Sequence, residues 1–123
     1  FKMAEFERRK KQFQKIVEDL NKKYNNCITI EISDTYYNMK EVIAKHMHLV
    51  ENAKKAMKNV NVNHITSFIR GGTDGAVLSK KGLPCPNLGT GGHNFHGIYE
   101  YICLEDMEKV SEILIEIVKL YSK

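Results

Sequence analysis

The amino-acid sequence predicts a protein of the α/β class. Apolar residues recur at every third or fourth position near both ends of the chain, over residues 3–24 and 105–121, as they do in amphipathic helices. Isoleucines alternate with polar residues over residues 28–32, which is the period of a strand with one buried face. Residues 64–81 then combine a β-branched run, a glycine break and a helical segment. This order is half of a βαβ unit, so we expect helices packed on a sheet.

The first predicted elements are a helix over residues 3–24 and a strand over residues 28–32. Asn25 and Asn26 follow the last apolar position of the helix and can end it. The next segment, residues 33–38 (SDTYYN), has no periodicity and is rich in turn-forming residues. We therefore place a domain junction in this segment.

The second part of the chain opens with a predicted helix over residues 46–60 and a short strand over residues 64–69. Thr73 or Asp74 can cap the helix that follows, because either side chain can accept hydrogen bonds from the amides of the first turn. Gly82 is well placed to end that helix.

Two more strands and a helix complete the second part. Residues 83–88 can supply a strand at a sheet edge, although Pro84 and Pro86 interrupt it. A glycine-rich loop follows, then a predicted strand over residues 99–103 and a long helix over residues 105–121.

Composition points to a soluble globular protein rather than a disordered or membrane protein. The chain has 123 residues, 42% hydrophobic and 28% charged, with no apolar run long enough to cross a bilayer. Its three cysteines, Cys27, Cys85 and Cys103, have no paired CxxC spacing, which suits thiols in a reducing compartment. We expect a cytoplasmic protein with no membrane partner. Because the chain begins with Phe1 and passes almost directly into helical periodicity, we also expect it to begin inside a larger protein.

The net charge of +4 is concentrated in the first helix. A basic stretch of this kind either binds nucleic acid or forms the solvated face of a helix. Four acidic residues lie among the bases, and they favour the solvated face: Glu5, Glu7, Glu18 and Asp19. We expect no nucleic-acid partner.

One candidate site is the segment RGGTDG, residues 70–75, between a predicted strand and a helix N-terminus. Amides at such a junction favour an anion, and the guanidinium of Arg70 can hold a carboxylate in two parallel bonds. The alternative is an ordinary glycine turn in which Arg70 pairs with an internal acid such as Asp74. The residues alone leave both interpretations open.

The second candidate is the loop TGGHNFHG, residues 90–97. His93 and His96 can ligate zinc or act as bases if their imidazoles point into a cleft. The alternative is a surface loop whose histidines are merely polar, because the spacing lacks the glutamate and the helical frame of a metalloprotease helix. Spacing alone does not decide between them.

Three motifs in order carry a resemblance to a known family: RGGTDG, GLPCPNLGTGG and HNFHGIYEYICLEDMEK. Together they resemble the C-terminal third of the peptidase T family, the tripeptide aminopeptidases. The resemblance extends back through SDTYYNMKE to the first helix and so covers essentially the whole chain. It implies an aminopeptidase, a hydrolase whose catalytic α/β domain holds two zinc ions and carries an inserted lid. Residues 1–39 would then be the second half of the lid or dimerisation domain, through which a homodimer forms, and residues 40–123 the C-terminal part of the catalytic domain.

The resemblance also assigns roles to single residues. His96, in the step Phe95-His96-Gly97, corresponds to the late zinc ligand, whereas His93 is a bystander. Arg70, Gly71 and Gly72 resemble the site that receives the C-terminal carboxylate of a tripeptide, and Asn94 is a weaker substrate-binding candidate.

The rest of the catalytic machinery is expected to lie outside this chain. In the family, two zinc ions activate a bridging water and a glutamate is the general base. The other zinc ligands and that base belong upstream, so we expect no catalytic residue here, no tight zinc binding and no activity from the 123 residues alone. The alternatives are a related dizinc dipeptidase or deacylase, and a non-catalytic dimerisation module. Two departures from the family pattern are Gly89, where a bulky residue is usual, and Cys103, where a threonine often caps the last helix.

Overall fold

The computed structural model describes residues 2–69 and 71–122. Within that part of the chain lie five helices and one two-stranded sheet, which confirms the predicted α/β class. The helices are α1 (Met3–Lys23), α2 (Lys40–Ile43), α3 (Met47–Asn59), α4 (Asp74–Lys80) and α5 (Leu104–Tyr121), and the strands are β1 (Gly92–His93) and β2 (Tyr101–Ile102). No helix in the described part is long and apolar enough to cross a membrane.

The chain divides into two compact units between Asn38 and Met39. This division lies one residue before the predicted boundary between residues 39 and 40. The assignment of the two units to a lid and a catalytic domain stays a prediction.

The first unit is built on α1, which confirms the first predicted helix. The helix ends where Asn25 and Asn26 adopt positive φ angles of 52° and 55°, a conformation that asparagine tolerates better than most residues. Basic and acidic side chains pair along the exposed surface of α1. Lys10 also reaches out of the helix, because its Nζ atom lies 2.9 Å from a carboxylate oxygen of Asp34.

The predicted strand over residues 28–32 is wrong, since this segment has no regular secondary structure. A strand needs a neighbouring strand to exchange backbone hydrogen bonds. Here a side chain substitutes for that neighbour at one residue only: Asn21 Nδ2 donates to Ile28 O at 2.8 Å, and Ile28 N donates to Asn21 Oδ1 at 2.9 Å. The alternating isoleucines beyond it have no ladder to join among the described residues.

The core of the second unit is small and lies mainly between α3 and α5, which confirm two further predicted helices. Ala56 on α3 is completely buried, and Ile113 on α5 is 4% exposed. A small side chain at position 56 lets the two helices approach closely. α2, which the sequence did not predict, packs on α4, and each of these two helices has a buried apolar residue, Ile43 on α2 and Ala76 on α4.

Side-chain hydrogen bonds connect helix α4 and its N-cap to the segment that follows the helix. Because of these bonds, the predicted strand over residues 83–88 is wrong. Cys85 N donates to the buried Ser79 Oγ at 3.0 Å, and Asn87 Nδ2 donates to Thr73 Oγ1 at 3.1 Å. The backbone of residues 83–88 thus bonds to side chains of a helix and its cap. Pro84 contributes no N–H donor to a sheet.

The predicted strand over residues 64–69 is also wrong, and the predicted half of a βαβ unit is not formed among the described residues. Ile65 is 90% exposed and Phe68 is 87% exposed, so the apolar pattern is present without a partner that covers it. The predicted strand over residues 99–103 shrinks to Tyr101–Ile102, because residues 97–100 form a turn.

Candidate metal and substrate site

The candidate metal site lies on a β-hairpin in the second unit. Strands β1 and β2 pair antiparallel, with Gly92 opposite Ile102 and His93 opposite Tyr101. The loop between them, residues 94–100, displays the exposed His96. A ladder of two residue pairs is marginal by itself. The position of His96 therefore depends on the bonds within the loop and on the packing of the hairpin base.

Three hydrogen bonds close the loop internally. Gly97 N donates to Asn94 O at 3.0 Å, and Glu100 N donates to Gly97 O at 3.1 Å. Asn94 Nδ2 donates to Tyr99 O at 3.3 Å. These bonds make two successive turns, and His96 lies within the first of them.

His96 has an unusual backbone conformation. Its φ angle is 65°, and it is the one residue besides asparagines and glycines with a positive φ in the part of the chain that the structure describes. A left-handed conformation costs roughly 1–2 kcal/mol for a residue with a Cβ atom. The backbone N–H of His96 donates to Glu100 Oε2 at 2.9 Å, which helps to offset this cost. Within the described residues, no hydrogen bond of the imidazole itself is found, so both ring nitrogens can meet a ligand from outside.

His93 has different surroundings from His96. Its ring stacks on Tyr101, with centroids 4.9 Å apart and planes 19° apart. Its Nε2 atom lies 3.9 Å from Asp106 Oδ2 on α5. His93 therefore packs at the base of the hairpin, whereas His96 projects from its loop.

Two glycines allow the hairpin base to pack closely. A Cβ atom on Gly91, whose φ is 80°, would lie 2.7 Å from Asp106 Cβ. A Cβ atom on Gly92 would lie 2.7 Å from the ring of Phe95. The close approaches of Phe95 to Gly92 and of Asp106 to Gly91 were not predicted from the sequence, because both depend on how the hairpin folds and packs on α5.

The predicted substrate site falls partly outside the described residues. Arg70 lies outside them, so neither its pairing with a substrate carboxylate nor the alternative pairing with Asp74 can be assigned. Gly71 has a φ of 96° with open space around it. Thr73 is the N-cap of α4, and its side chain accepts from Ala76 N at 3.4 Å, which decides between the two predicted caps.

The described residues do not form a metal centre by themselves. Among them, no group of three or more histidines, cysteines, aspartates and glutamates is placed to hold a metal ion. A catalytic zinc ion takes about three protein ligands and a water molecule. His96 is therefore a candidate for a single position in such a set.

Comparisons with known proteins agree with the motif resemblance. The sequence profile of peptidase family M20/M25/M40 matches residues 4–120. Peptidase T of Alkaliphilus oremlandii is 54% identical over 119 residues, which are 96% of this chain and 29% of that protein. Peptidase T of Caldanaerobacter subterraneus is 52% identical over 124 residues, covering 100% of this chain and 30% of that protein. Peptidase T of Shewanella pealeana is 49% identical over 121 residues, covering 98% and 30%. The predicted similarity to peptidase T is thus confirmed, and the chain spans about 30% of the length of these relatives.

Proposed function

Because the chain belongs to peptidase family M20/M25/M40, we propose that it acts as part of a zinc-dependent aminopeptidase that releases the N-terminal residue from tripeptides. The observation that carries this proposal is the similarity to peptidases T over nearly the whole chain, including the loop that displays His96. We place the protein in the cytoplasm, in agreement with its three free cysteines.

His96 is the proposed metal ligand. Its support is the exposed imidazole on a loop whose backbone is bonded in a strained conformation, since strain of this kind often marks functional positions. Zinc, when bound, lowers the pKa of its water and polarises the carbonyl of the scissile bond. This chain contributes one proposed zinc ligand, the imidazole of His96. The further ligands of two zinc ions and the general base are proposed to come from residues outside it.

Arg70, Gly71, Gly72 and Asn94 are the proposed substrate-binding residues. Gly71 supports this role because its positive φ and missing Cβ leave the backbone accessible to a ligand. Asn94 lies in the same loop as His96, and its Nδ2 atom already donates to Tyr99 O at 3.3 Å. The groups of Asn94 proposed to bind the peptide are therefore its side-chain oxygen Oδ1 and the second hydrogen on Nδ2.

A homodimer through residues 1–39 is the proposed assembly. Helix α1 has no fully buried residue, and Phe13, Ile16 and Leu20 are exposed along it. An apolar stripe on a helix is commonly covered by a partner. Sedimentation velocity of the chain and of its Phe13→Glu variant over a range of concentrations tests this assembly.

The activity is tested in a graft. This chain replaces the aligned region of Alkaliphilus oremlandii peptidase T, and release of the N-terminal residue from an unblocked tripeptide is measured with zinc present. We expect His96→Ala to weaken zinc binding and lower turnover by more than the roughly 10–100-fold cost of removing a ligand's hydrogen-bond partner, because a ligand itself is lost. Two control variants should retain most of the zinc binding and turnover. They are His93→Phe, which keeps an aromatic ring against Tyr101, and His64→Ala at an exposed position.

Three outcomes contradict the proposal. Full zinc content and turnover in the His96→Ala graft would remove the ligand assignment. A graft that hydrolyses dipeptides or acylated amino acids in preference to tripeptides would favour a dipeptidase or a deacylase. A graft that folds and dimerises but hydrolyses none of the three substrates would favour a dimerisation module.

A further inference from the structure

Glu100 is bonded to the loop in two places. Its backbone N–H donates to Gly97 O at 3.1 Å, and its carboxylate accepts from the backbone N–H of His96 at 2.9 Å. The first bond closes the turn that follows His96, and the second reaches back across that turn. Glu100, the last loop residue before β2, is thereby bonded to the backbone of the residue that carries the imidazole.

The hydrogen bond from the His96 N–H to the Glu100 carboxylate lies at a residue whose backbone conformation is unfavourable. Among the described residues other than glycines, four share the positive φ of His96, namely Asn25, Asn26, Asn61 and Asn94, and all are asparagines. An asparagine side chain is short and bonds locally to its own backbone, which eases a left-handed conformation. Histidine lacks this local side-chain bond to its own backbone. Here the carboxylate of Glu100, four residues later, stabilises the conformation instead, as a charge-assisted acceptor for the His96 amide.

The backbone conformation of His96 decides where its imidazole points. The φ angle sets the direction of the Cα–Cβ bond relative to the loop, so a return of His96 to a negative φ would move the ring to another side of the hairpin. A metal ligand must be held close to its productive geometry by the residues around it. A two-pair ladder with a seven-residue loop provides little of that support by itself.

We propose that Glu100 is a positioning residue that holds His96 in the left-handed conformation and so aims its imidazole at the metal. The proposal rests on the proposed function in one respect, that His96 ligates the metal. The hold of Glu100 on the backbone of His96 does not depend on it.

The first experiment measures zinc affinity in the graft that carries this chain. Glu100→Ala should weaken zinc binding about 10–100-fold, the size of effect seen when partners of metal ligands are removed. Glu100→Gln keeps an acceptor oxygen and should restore affinity to within a few-fold of the unmodified graft. Glu108→Ala, an exposed glutamate on α5, is the matched control and should change nothing. All four proteins should melt at similar temperatures.

The second experiment measures the backbone conformation of His96 by NMR in the 123-residue chain. A strong intraresidue NOE between the amide and α protons of His96 is the signature of its positive φ. We expect this NOE, together with slow amide exchange, in the unmodified chain, in Glu100→Gln and in Glu108→Ala. Glu100→Ala should lose both signals.

The two experiments separate failure of this inference from failure of the proposed function. If His96→Ala abolishes zinc binding while Glu100→Ala leaves it unchanged, the positioning role is overturned and the ligand assignment stands. If Glu100→Gln is as weak as Glu100→Ala, the charge and not the hydrogen bond matters, and the inference is again wrong. If His96→Ala has no effect on zinc, the ligand assignment fails, and the NOE still reports whether Glu100 holds the loop.

Discussion

A cysteine occupies the N-cap of the last helix. Cys103 has the extended backbone of an N-cap residue, with φ −78° and ψ 147°, but its side chain makes no capping hydrogen bond. The thiol is a weak acceptor, so the first amides of α5 lack the side-chain partner that a hydroxyl or carboxylate would give them. At α4, by contrast, Thr73 occupies the same position and its hydroxyl accepts from Ala76 N.

We predict that Cys103→Ser increases the free energy of unfolding by about 1 kcal/mol, because serine is among the preferred N-cap residues. Chemical denaturation of the chain measures this difference. Cys27→Ser is the matched control, since Cys27 is exposed and lies outside every helix. Equal effects of the two substitutions would show that removal of a thiol, and not capping, is responsible.

At the scale of single residues, caps and helix ends could be predicted from sequence, whereas the difference between the two loop histidines could not. Asn25 and Asn26 end α1 as expected because asparagine tolerates a positive φ. His93 and His96 are distinguished by a stacking contact and by a backbone angle. Both depend on the hairpin that forms around them, and a three-residue spacing contains no information about it.

At the scale of elements, α4 depends on a glycine at its first turn. Gly75 is buried, and a Cβ atom there would lie 2.6 Å from Cys85 O and 2.7 Å from Asn87 Oδ1. These contacts are made by a backbone carbonyl and by an amide that already donates to Thr73. Neither can move without breaking a bond between the helix and the segment that follows it.

We predict that Gly75→Ala lowers the free energy of unfolding by about 1–3 kcal/mol, the usual cost of overpacking. Gly89→Ala is the control, because a Cβ atom there has open space around it and the φ angle is not positive. Its effect should stay within about 0.5 kcal/mol. Thermal or chemical unfolding of both variants checks the difference, and a neutral Gly75→Ala would mean that α4 is not packed as described.

Helix α1 carries a charge cluster that responds to acid. The side-chain hydrogen bonds from Arg8 and Arg9 lower the pKa of Glu5 from 4.5 to about 2. A carboxyl group whose pKa is lower in the folded state stabilises the fold above the unfolded pKa and loses that effect as the pH falls through the folded pKa. We therefore predict that the support Glu5 gives to α1 is complete above pH 4.5 and is lost progressively toward pH 2.

The carboxyl carbon of Glu5, followed by NMR during an acid titration, measures this pKa directly. Because Glu5 is exposed, added salt should raise the midpoint toward its ordinary value by screening the two arginines. A Glu5 midpoint near 4.5 at low salt would contradict the pairing.

Four of the five helices in the described residues were predicted, whereas only one predicted strand forms, and only in part as Tyr101–Ile102; the reason is physical. A helix satisfies its hydrogen bonds within one segment, so periodicity over residues 47–59 or 104–121 suffices to place it. A strand needs a second segment at the right distance. Residues 28–32 and 64–69 have the composition of strands, but the structure provides no partner for them within its described residues.

At the scale of the whole molecule, each of the two units leaves large apolar side chains exposed. Examples are Phe13 in the first unit and Phe68 and Ile98 in the second. Surfaces of this kind usually bind a partner. The family resemblance was visible in the motifs, and this incomplete burial agrees with relatives that are about three times longer.

The close approach of Gly91 to Asp106 has a consequence for how the site tolerates mutation. It joins the base of the hairpin to the first turn of α5, and α5 packs on α3, with Ile113 buried on α5 and Ala56 buried on α3. The position of the His96 imidazole therefore depends on the packing of α3 and α5, because the base of the hairpin contacts α5. A substitution that shifts α5 by a fraction of an ångström would be transmitted to the loop, so interior positions of α3 and α5 affect where the His96 side chain lies.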